Sequence, residues 1–172
     1  CDAHARTEGV EDGETMDAKP VKKASGIAAW LGSQARPDLV LADGPGLEVD
    51  ALDGAPGVHS ARYAGGDDNA PDDANNAKLL RELADVPDGN RSAQFHCVLA
   101  PVALGQAAEV RTFEGICRGR LAQAQAGQGG FGYDPLFVPD GHELSFAESG
   151  REGQNAISHR ARALAKLAEY FR

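Results

Sequence analysis

The sequence contains few sulfur-containing and few aromatic residues: three Cys, one Met and one Trp, with aromatic residues at 6%. Cys1, Cys97 and Cys117 are odd in number and lack the spacing of metal ligands, so neither a disulfide framework nor a zinc site is indicated. No apolar run approaches the about 18–20 residues of a membrane span. The N-terminus also lacks the basic and apolar regions of a secretory signal. We therefore expect a soluble, cytoplasmic protein without a membrane partner.

Positive charge is also scarce. The chain has 17 Lys and Arg against 26 Asp and Glu, which gives a net charge of −9 at pH 7. Because a duplex-binding protein normally presents a basic face, this balance disfavours nucleic acid as a partner. The 172 residues are enough for one domain with a hydrophobic core. We expect one domain over residues 1–172, with residues 1–9 irregular.

Helical and strand patterns alternate along the chain, which predicts an α/β domain with a sheet flanked by helices. Residues 47–52 fit either a strand or a helical turn. The terminal helix is expected to pack on the sheet through Ile157, Leu164 and Phe171. The other predicted elements are a helix over 20–31, a strand over 39–42, a turn over 43–46, a helix over 75–83, a hairpin of strands 93–103 and 109–117, a strand over 136–139 and the terminal helix over 155–172.

The most informative segment is GQGGFGYDPLFVPDG at residues 127–141. Its glycines allow the backbone to approach a ligand closely. Phe131 and Tyr133 supply ring faces, and Asp134 supplies a hydrogen-bond acceptor beside them. This combination suits a flat heterocycle with N–H donors, such as a nucleobase. A glycine hairpin with two aromatic core residues would show the same pattern.

Two further segments carry polar groups at positions that suit the binding of an anion or a metal ion. Ser158, His159 and Arg160 fall in the first turn of the predicted terminal helix, where free N–H groups favour anions. Their donors could hold purine carbonyls or phosphate oxygens, but a capped and solvated helix start would look alike. Asp43 follows a predicted strand and precedes a glycine turn. This position is typical of a carboxylate that binds a metal ion or a water molecule, and it is equally typical of an Asp that only forms a turn.

Taken in order, these segments resemble the inosine triphosphate pyrophosphatase family, hydrolases of non-standard purine nucleoside triphosphates. The resemblance runs from about Val10 to the C-terminus. It implies an elongated α/β domain with a long mixed sheet, two lobes around a substrate cleft, and a homodimer. The matching pieces are VEDGET (10–15), GLEVDALDGAPGVHSARYAG (46–65), FHCVLA (95–100), GGFGYDPLF (129–137), FAE (146–148) and NAISHRARAL (155–164).

The resemblance also implies an activity: Mg²⁺-dependent cleavage of ITP, dITP or XTP to the monophosphate and pyrophosphate. By position, Phe131 stacks on the base, and donors of His159 and Arg160 at the 6-oxo group reject the amino group of adenine. Both segments should therefore share one pocket. Asp43 is the implied catalytic carboxylate and metal ligand. The implied substrate-binding residues are Phe131, Gly132, Tyr133, Asp134, Gln154, Ser158, His159 and Arg160.

The sequence departs from the family pattern at phosphate- and metal-binding positions. The family's opening strand and phosphate loop have no counterpart before Val10. Ala18-Lys19-Pro20 stands for Glu-Asn-Ala, Gly44-Pro45 for Asp-Ser, and Gln154 for a phosphate-facing lysine. Each lost group can cost about 10²–10³ in rate. Three readings follow: a pyrophosphatase, active or impaired; a non-catalytic nucleotide-binding relative or fragment; and a structural or interaction domain.

Overall fold

The computed structural model describes Thr15 and residues 18–31, 39–66, 68–103 and 111–172. Residues 1–9, predicted to be irregular, lie outside this part. Within it, no helix is long and apolar enough to cross a membrane. The elements in chain order are α1 (Ala18–Leu31), β1 (Leu39–Val49), α2 (Asp72–Glu82), β2 (Ser92–Ala103), β3 (Phe113–Leu121), β4 (Phe137–Pro139), α3 (Phe146–Ile157) and α4 (His159–Tyr170), with short 3₁₀ helices at Asp50–Leu52, Gly57–Arg62 and Asp88–Asn90.

The four strands form one sheet in the order β1-β2-β3-β4. The expected α/β class is confirmed, and β2 and β3 form the predicted hairpin, with Ser92 opposite Arg120. A mixed sheet is expected from the sequence, whereas all pairings among the described strands are antiparallel. Parallel neighbours need a crossover that returns the chain to the same end of the sheet. Each described strand instead runs opposite to its neighbour in the sheet.

Strand β1 continues through residues 43–46, where the sequence predicts a turn. These residues pair with residues 96–99 of β2 without interruption. Pro45 has no N–H and is therefore compatible with an edge strand, and β1 is at the edge of the described sheet. The turn prediction is wrong because pairing with a distant strand outweighs the local preference of Gly and Pro. As a result, Asp43 lies within a strand.

Helix α2 begins earlier than the sequence predicts, at Asp72, directly after Pro71. Asn75, the first residue of the predicted helix, and Asn76 are within α2, and both are buried. Its apolar side packs on the face of the sheet that carries the main core. Helix α1 packs against β1 and β2. The buried residues of the main core are Leu47, Val49, Leu79, Leu83, Ala93, Phe95, Cys117, Leu121, Tyr133, Leu136, Phe137 and Phe146.

The predicted terminal helix is in fact two helices, α3 and α4, which meet at Ser158. Ser158 has an extended backbone, and its hydroxyl accepts a hydrogen bond from the Ala161 N–H, which caps α4. Ile157 is the last residue of α3 and packs against the main core. The boundary is hidden in the sequence because the apolar spacing continues across it. A serine before a helix is nevertheless a usual N-cap signal.

The predicted packing face of α4 is also wrong. Leu164 and Phe171 are 48% and 58% exposed. The buried residues of α4 are His159, Ala163 and Leu167, which recur every fourth position. Apolar periodicity misses this face because it does not count the buried ring of His159.

Helix α4 approaches β3 closely at Gly115. A Cβ at Gly115 would lie 2.5 Å from the backbone nitrogen of Ala163 and closer still to the carbonyl oxygen of His159. Gly115→Ala is therefore expected to displace α4 and to lower the free energy of unfolding by about 3 kcal/mol, measured by urea denaturation. Gly89→Ala is the control, because a Cβ there meets nothing within 4 Å. Equal stability of the two variants would contradict the close packing.

Candidate functional site

A cavity of about 150 Å³ lies between β1, the turn at residues 129–134 and the start of α4. It is lined by Phe131, Tyr133, His159 and Arg160, among others. The structure therefore brings together the two segments expected to share one pocket. A larger cavity of about 510 Å³ is lined by residues of the 55–66 segment and Lys78, and it includes none of the predicted site residues. The smaller cavity is the candidate site.

Arg160 lies between an aromatic ring and a carboxylate. Its Cζ is 4.7 Å from the centre of the Phe131 ring, and its Nε is 3.2 Å from Asp43 Oδ2. A guanidinium over a ring face is attracted by the ring quadrupole. The Phe131 ring is itself 55% exposed. Arg160 is thus held at the ring that the sequence predicts to stack on a base.

Asp43 pairs with Arg160, whereas the resemblance implies that Asp43 holds Mg²⁺. Its side chain is 43% exposed, so solvent screens this ion pair. The next residue, Gly44, offers no second carboxylate. In the described part of the chain, no group of three His, Cys, Asp or Glu side chains could hold a metal ion. A single carboxylate that is already paired with a guanidinium does not fit a Mg²⁺ site formed by the protein.

His159 is buried in the wall of the cavity. Its ring stacks on Phe95 with 4.8 Å between centres, and it is 2% exposed. Neither ring nitrogen has a hydrogen-bond partner among the described residues. Burial, with the positive charge of Arg160 as a lesser cause, lowers the pKa of His159 to about 3. The neutral imidazole therefore has one donor and one acceptor that no described residue satisfies.

The buried His159 predicts how stability depends on pH. Its pKa is about 3 in the fold against an ordinary value of 6.5. Below about pH 6.5 the imidazole of His159 binds a proton in the unfolded chain but not in the folded protein. The free energy of unfolding therefore falls as the pH decreases from 6.5 toward 3, and it does not depend on this group above pH 6.5. Between pH 7 and 5 the expected loss is about 2 kcal/mol, measured by urea denaturation. His159→Asn should flatten this dependence, whereas the exposed His142→Asn control should not.

Asp134 is a buried carboxylate that holds the turn behind Phe131. Its Oδ2 accepts hydrogen bonds from the Phe131 N–H at 3.0 Å and from Gln154 Nε2 at 2.9 Å. Burial raises the pKa of Asp134, although these hydrogen bonds act in the opposite direction. Gly130 must lack a side chain because a Cβ there would clash with the carboxylate. Gln154 therefore contacts Asp134 at the position where the resemblance implies a phosphate-facing lysine.

Two other predicted site residues have their polar atoms bound within the fold. Tyr133 is 4% exposed, and its ring belongs to the main core. Its hydroxyl donates to the Ser60 carbonyl at 2.8 Å, and burial raises the pKa of Tyr133. The Ser158 hydroxyl caps α4. Tyr133 lines the cavity, whereas Ser158 is the residue before the lining residue His159. The polar atoms of both are hydrogen-bonded to the backbone.

The Ham1 family model matches residues 2–170. The chain belongs to the Ham1 family. It is 50% identical over 163 residues to the dITP/XTP pyrophosphatase of Opitutus terrae, an alignment that covers 95% of this chain and 77% of that protein. It is 51% identical over 156 residues to the dITP/XTP pyrophosphatase of Rhodopirellula baltica, and this alignment covers 90% of this chain and 71% of that protein. The resemblance inferred from the sequence is confirmed.

Solved structures agree with this Ham1 assignment. A HAM1 protein from Coxiella burnetii superposes with a TM-score of 0.83 at 37% identity and covers 94% of this chain and 78% of that chain. The Mycobacterium abscessus protein named nucleoside-triphosphatase / dITP/XTP pyrophosphatase gives 0.74 at 41% identity, with 93% and 77% covered. The Ham1 fold is therefore shown by sequence and by structure.

Two residues of α2 in this Ham1 chain, Asp72 and Asn76, bind the turn at residues 129–134. The sequence motifs do not identify them. Asp72 Oδ2 accepts a hydrogen bond from the Gly132 N–H at 2.6 Å. Asn76 Nδ2 donates to the Gly132 carbonyl at 2.9 Å. The available signal was their spacing, because polar residues four positions apart share one side of a helix.

Proposed function

We propose that this protein hydrolyses non-standard purine nucleoside triphosphates (dITP, XTP and ITP) to the monophosphate and pyrophosphate. Family membership supports this reaction class, because relatives about half identical over most of the chain are named dITP/XTP pyrophosphatases. The observation that carries the proposal is the convergence of Phe131, His159 and Arg160 on one cavity. These side chains come from two motifs and supply an aromatic face, a neutral imidazole and a guanidinium.

The chemistry of these groups supports a preference for 6-oxo purines. Hypoxanthine and xanthine have a carbonyl acceptor at the 6-position, whereas adenine has an amino donor there. The guanidinium of Arg160 has only donors, and one of them, Nε, is bound to Asp43. A carbonyl can accept from its other N–H groups, whereas an amino group cannot. A site that hydrogen-bonds a substrate group discriminates strongly against the analogue without that group. The exposed Phe131 ring supplies the stacking surface.

Asp43 is the proposed catalytic carboxylate, and Mg²⁺ is the proposed cofactor, both from the family resemblance. Because the described residues do not fit a protein-held Mg²⁺, the proposal is that the ion arrives with the triphosphate. Asp43→Asn is expected to lower ITP turnover about tenfold or more. ITP binding should fall less than about fivefold, because the exposed ion pair with Arg160 is worth at most about 1 kcal/mol. Unchanged turnover would leave Asp43 only as the partner of Arg160.

A homodimer and a cytoplasmic location complete the proposal, again from the resemblance. Leu164 of α4 and Phe171 at its C-cap are exposed apolar residues. They are compatible with an interface to a second copy of the chain. Light scattering coupled to size-exclusion chromatography measures the mass of the assembly. A monomer at micromolar concentration would remove the dimer from the proposal without affecting the reaction.

A steady-state assay of pyrophosphate release tests the activity. ITP, dITP, XTP, ATP and GTP are compared with and without Mg²⁺. We expect kcat/KM for ITP to exceed that for ATP by about 100-fold or more. Equal hydrolysis of ITP and ATP would overturn the proposal.

A non-catalytic nucleotide-binding protein is the second candidate, favoured by Gly44, Pro45 and Gln154 at positions where the family pattern has catalytic or phosphate-binding groups. Thermal-shift titration separates it from the enzyme. A ligand that binds only the native state raises the stability with its concentration. Stabilisation by ITP but not ATP, without pyrophosphate release, would select this second candidate.

A further inference from the structure

We propose that Asp72 and Asn76 of α2 are positioning residues of the base site. They hold the peptide groups of Gly132 and thereby fix the direction in which the adjacent Phe131 ring faces the cavity. The inference rests on the proposed function, because it assigns these residues a role in binding the purine of that same substrate class. Asp72 also lines the cavity and Asn76 does not; the role proposed for both is their contact with Gly132 and not a contact with the nucleotide.

Both backbone groups of Gly132 are bound by one helix. The N–H donates to Asp72 Oδ2 at 2.6 Å, and the carbonyl accepts from Asn76 Nδ2 at 2.9 Å. Asp72 and Asn76 lie one helical turn apart on the same side of α2. Gly132 has a φ of 59°, in the left-handed region that favours glycine. A rotation of either peptide group therefore breaks a hydrogen bond to α2.

The Phe131 ring depends on its backbone for orientation. It is 55% exposed, and among the described residues the Arg160 guanidinium lies over it, but no aromatic ring stacks on it. On its N-terminal side the Phe131 N–H is fixed by Asp134. On its C-terminal side the next peptide is fixed by α2. An exposed ring on a short turn can thus be held ready for stacking without being buried.

Asn76 is an unusual residue for its surroundings. It is 1% exposed and lies on the helix side that also buries Leu79. Its Nδ2 is hydrogen-bonded, but its Oδ1 has no partner among the described residues, so its burial costs free energy that an apolar residue here would not lose. Its bond to Gly132 is the contact that an apolar residue could not make. Asp72 differs because it is exposed in the first turn of α2 and can be replaced without opening the core.

The test compares Asp72→Ala with Asp73→Ala, a matched control that removes the same charge from the adjacent exposed position of the same helical turn. Binding of inosine monophosphate is measured by calorimetry in EDTA, so that no metal is involved. Asp72→Ala is expected to weaken this binding about tenfold, as loss of a charge-assisted hydrogen bond predicts. In steady-state assays the KM for ITP should rise by a similar factor while kcat stays within about twofold.

A second readout does not depend on nucleotide. In Asp72→Ala the Gly132 amide should exchange its hydrogen with solvent about tenfold faster, measured by NMR, because its acceptor is gone. Asp72→Asn keeps an acceptor oxygen and should restore both the exchange rate and the binding to within about twofold. Asp73→Ala should match the parent protein in every measurement.

Three outcomes decide the matter. The positioning role is supported if Asp72→Ala shows both faster exchange at Gly132 and weaker nucleotide binding, and Asp73→Ala shows neither. A parent protein that binds inosine monophosphate, with Asp72→Ala binding equally well, overturns the inference and leaves the proposed function standing. A parent protein that binds neither inosine monophosphate nor ITP overturns the proposed function and the positioning role with it.

Discussion

Arg160→Ala is expected to lower kcat/KM for ITP by about 100-fold, as loss of charge-assisted hydrogen bonds to the 6-oxo group predicts, while the slow hydrolysis of ATP changes little. The guanidinium lies over the Phe131 ring, with its Cζ 4.7 Å from the ring centre, so its donors are within reach of a base that enters at this ring. Without it, the site loses the guanidinium donors that favour hypoxanthine over adenine. The selectivity for ITP over ATP, measured by steady-state kinetics, should therefore collapse.

Arg162→Ala is the matched control for this prediction. Arg162 is two positions further along α4 and donates to the carbonyls of Ile157 and Ile116 at 3.2 and 3.0 Å, outside the cavity lining. Its removal takes away the same charge but no group of the site, so the kinetics should change by less than about twofold. Equal losses in both variants would indicate a general electrostatic effect and would contradict a base-reading role for Arg160.

Arg91→Leu is expected to lower the free energy of unfolding by about 4 kcal/mol, since it removes three hydrogen bonds and leaves the carbonyls of Val86 and Ala122 without their side-chain donor. The Leu83 carbonyl keeps one hydrogen bond, from the Val86 N–H. Arg91 is 5% exposed. It donates to the carbonyls of Leu83 at 2.7 Å, Val86 at 3.0 Å and Ala122 at 3.4 Å. Leu83 is the C-cap of α2, so this one side chain ties the end of that helix to two other segments. Urea denaturation measures the loss.

Arg118→Leu is the comparison for Arg91→Leu. Arg118 is exposed on β3, and the substitution makes the same change of charge and side chain. Its effect should stay within about 0.5 kcal/mol, as for most surface substitutions. If the two variants were equally stable, the buried hydrogen bonds of Arg91 would contribute nothing to the fold.

The local parts of the fold were predictable from the sequence, and the non-local parts were not. Apolar periodicity identifies α1, the β2–β3 hairpin and β4, because each signal lies within the element itself. Strand β1 runs through Asp43 and Pro45 only because β2, some fifty residues further along the chain, supplies its partner. The division at Ser158 was missed for a different reason. The helical periodicity on its two sides is continuous, and the cap is a single residue.

The same distinction applies to the site. Phe131 and Arg160 were predicted to share one pocket because the family resemblance assigns both of their motifs to base recognition. The contact between Arg160 and Asp43 joins residues 117 positions apart, and the one between Asn76 and Gly132 joins residues 56 positions apart. No spacing rule within one segment predicts such pairs. The burial of the Tyr133 ring is likewise decided by the core that forms around it.

The Arg160–Phe131 contact has a consequence for how the protein rejects the wrong base. One face of the ring is already covered by a side chain of the protein, so a purine that uses this face competes with an internal occupant. A 6-oxo purine can compensate by accepting hydrogen bonds from the displaced guanidinium. Adenine displaces the guanidinium as well, but its 6-amino group cannot accept these hydrogen bonds. Part of the discrimination is therefore set by the free protein: a base that stacks on this face must break the Arg160–Phe131 contact, and only a 6-oxo purine regains that free energy through hydrogen bonds to the guanidinium.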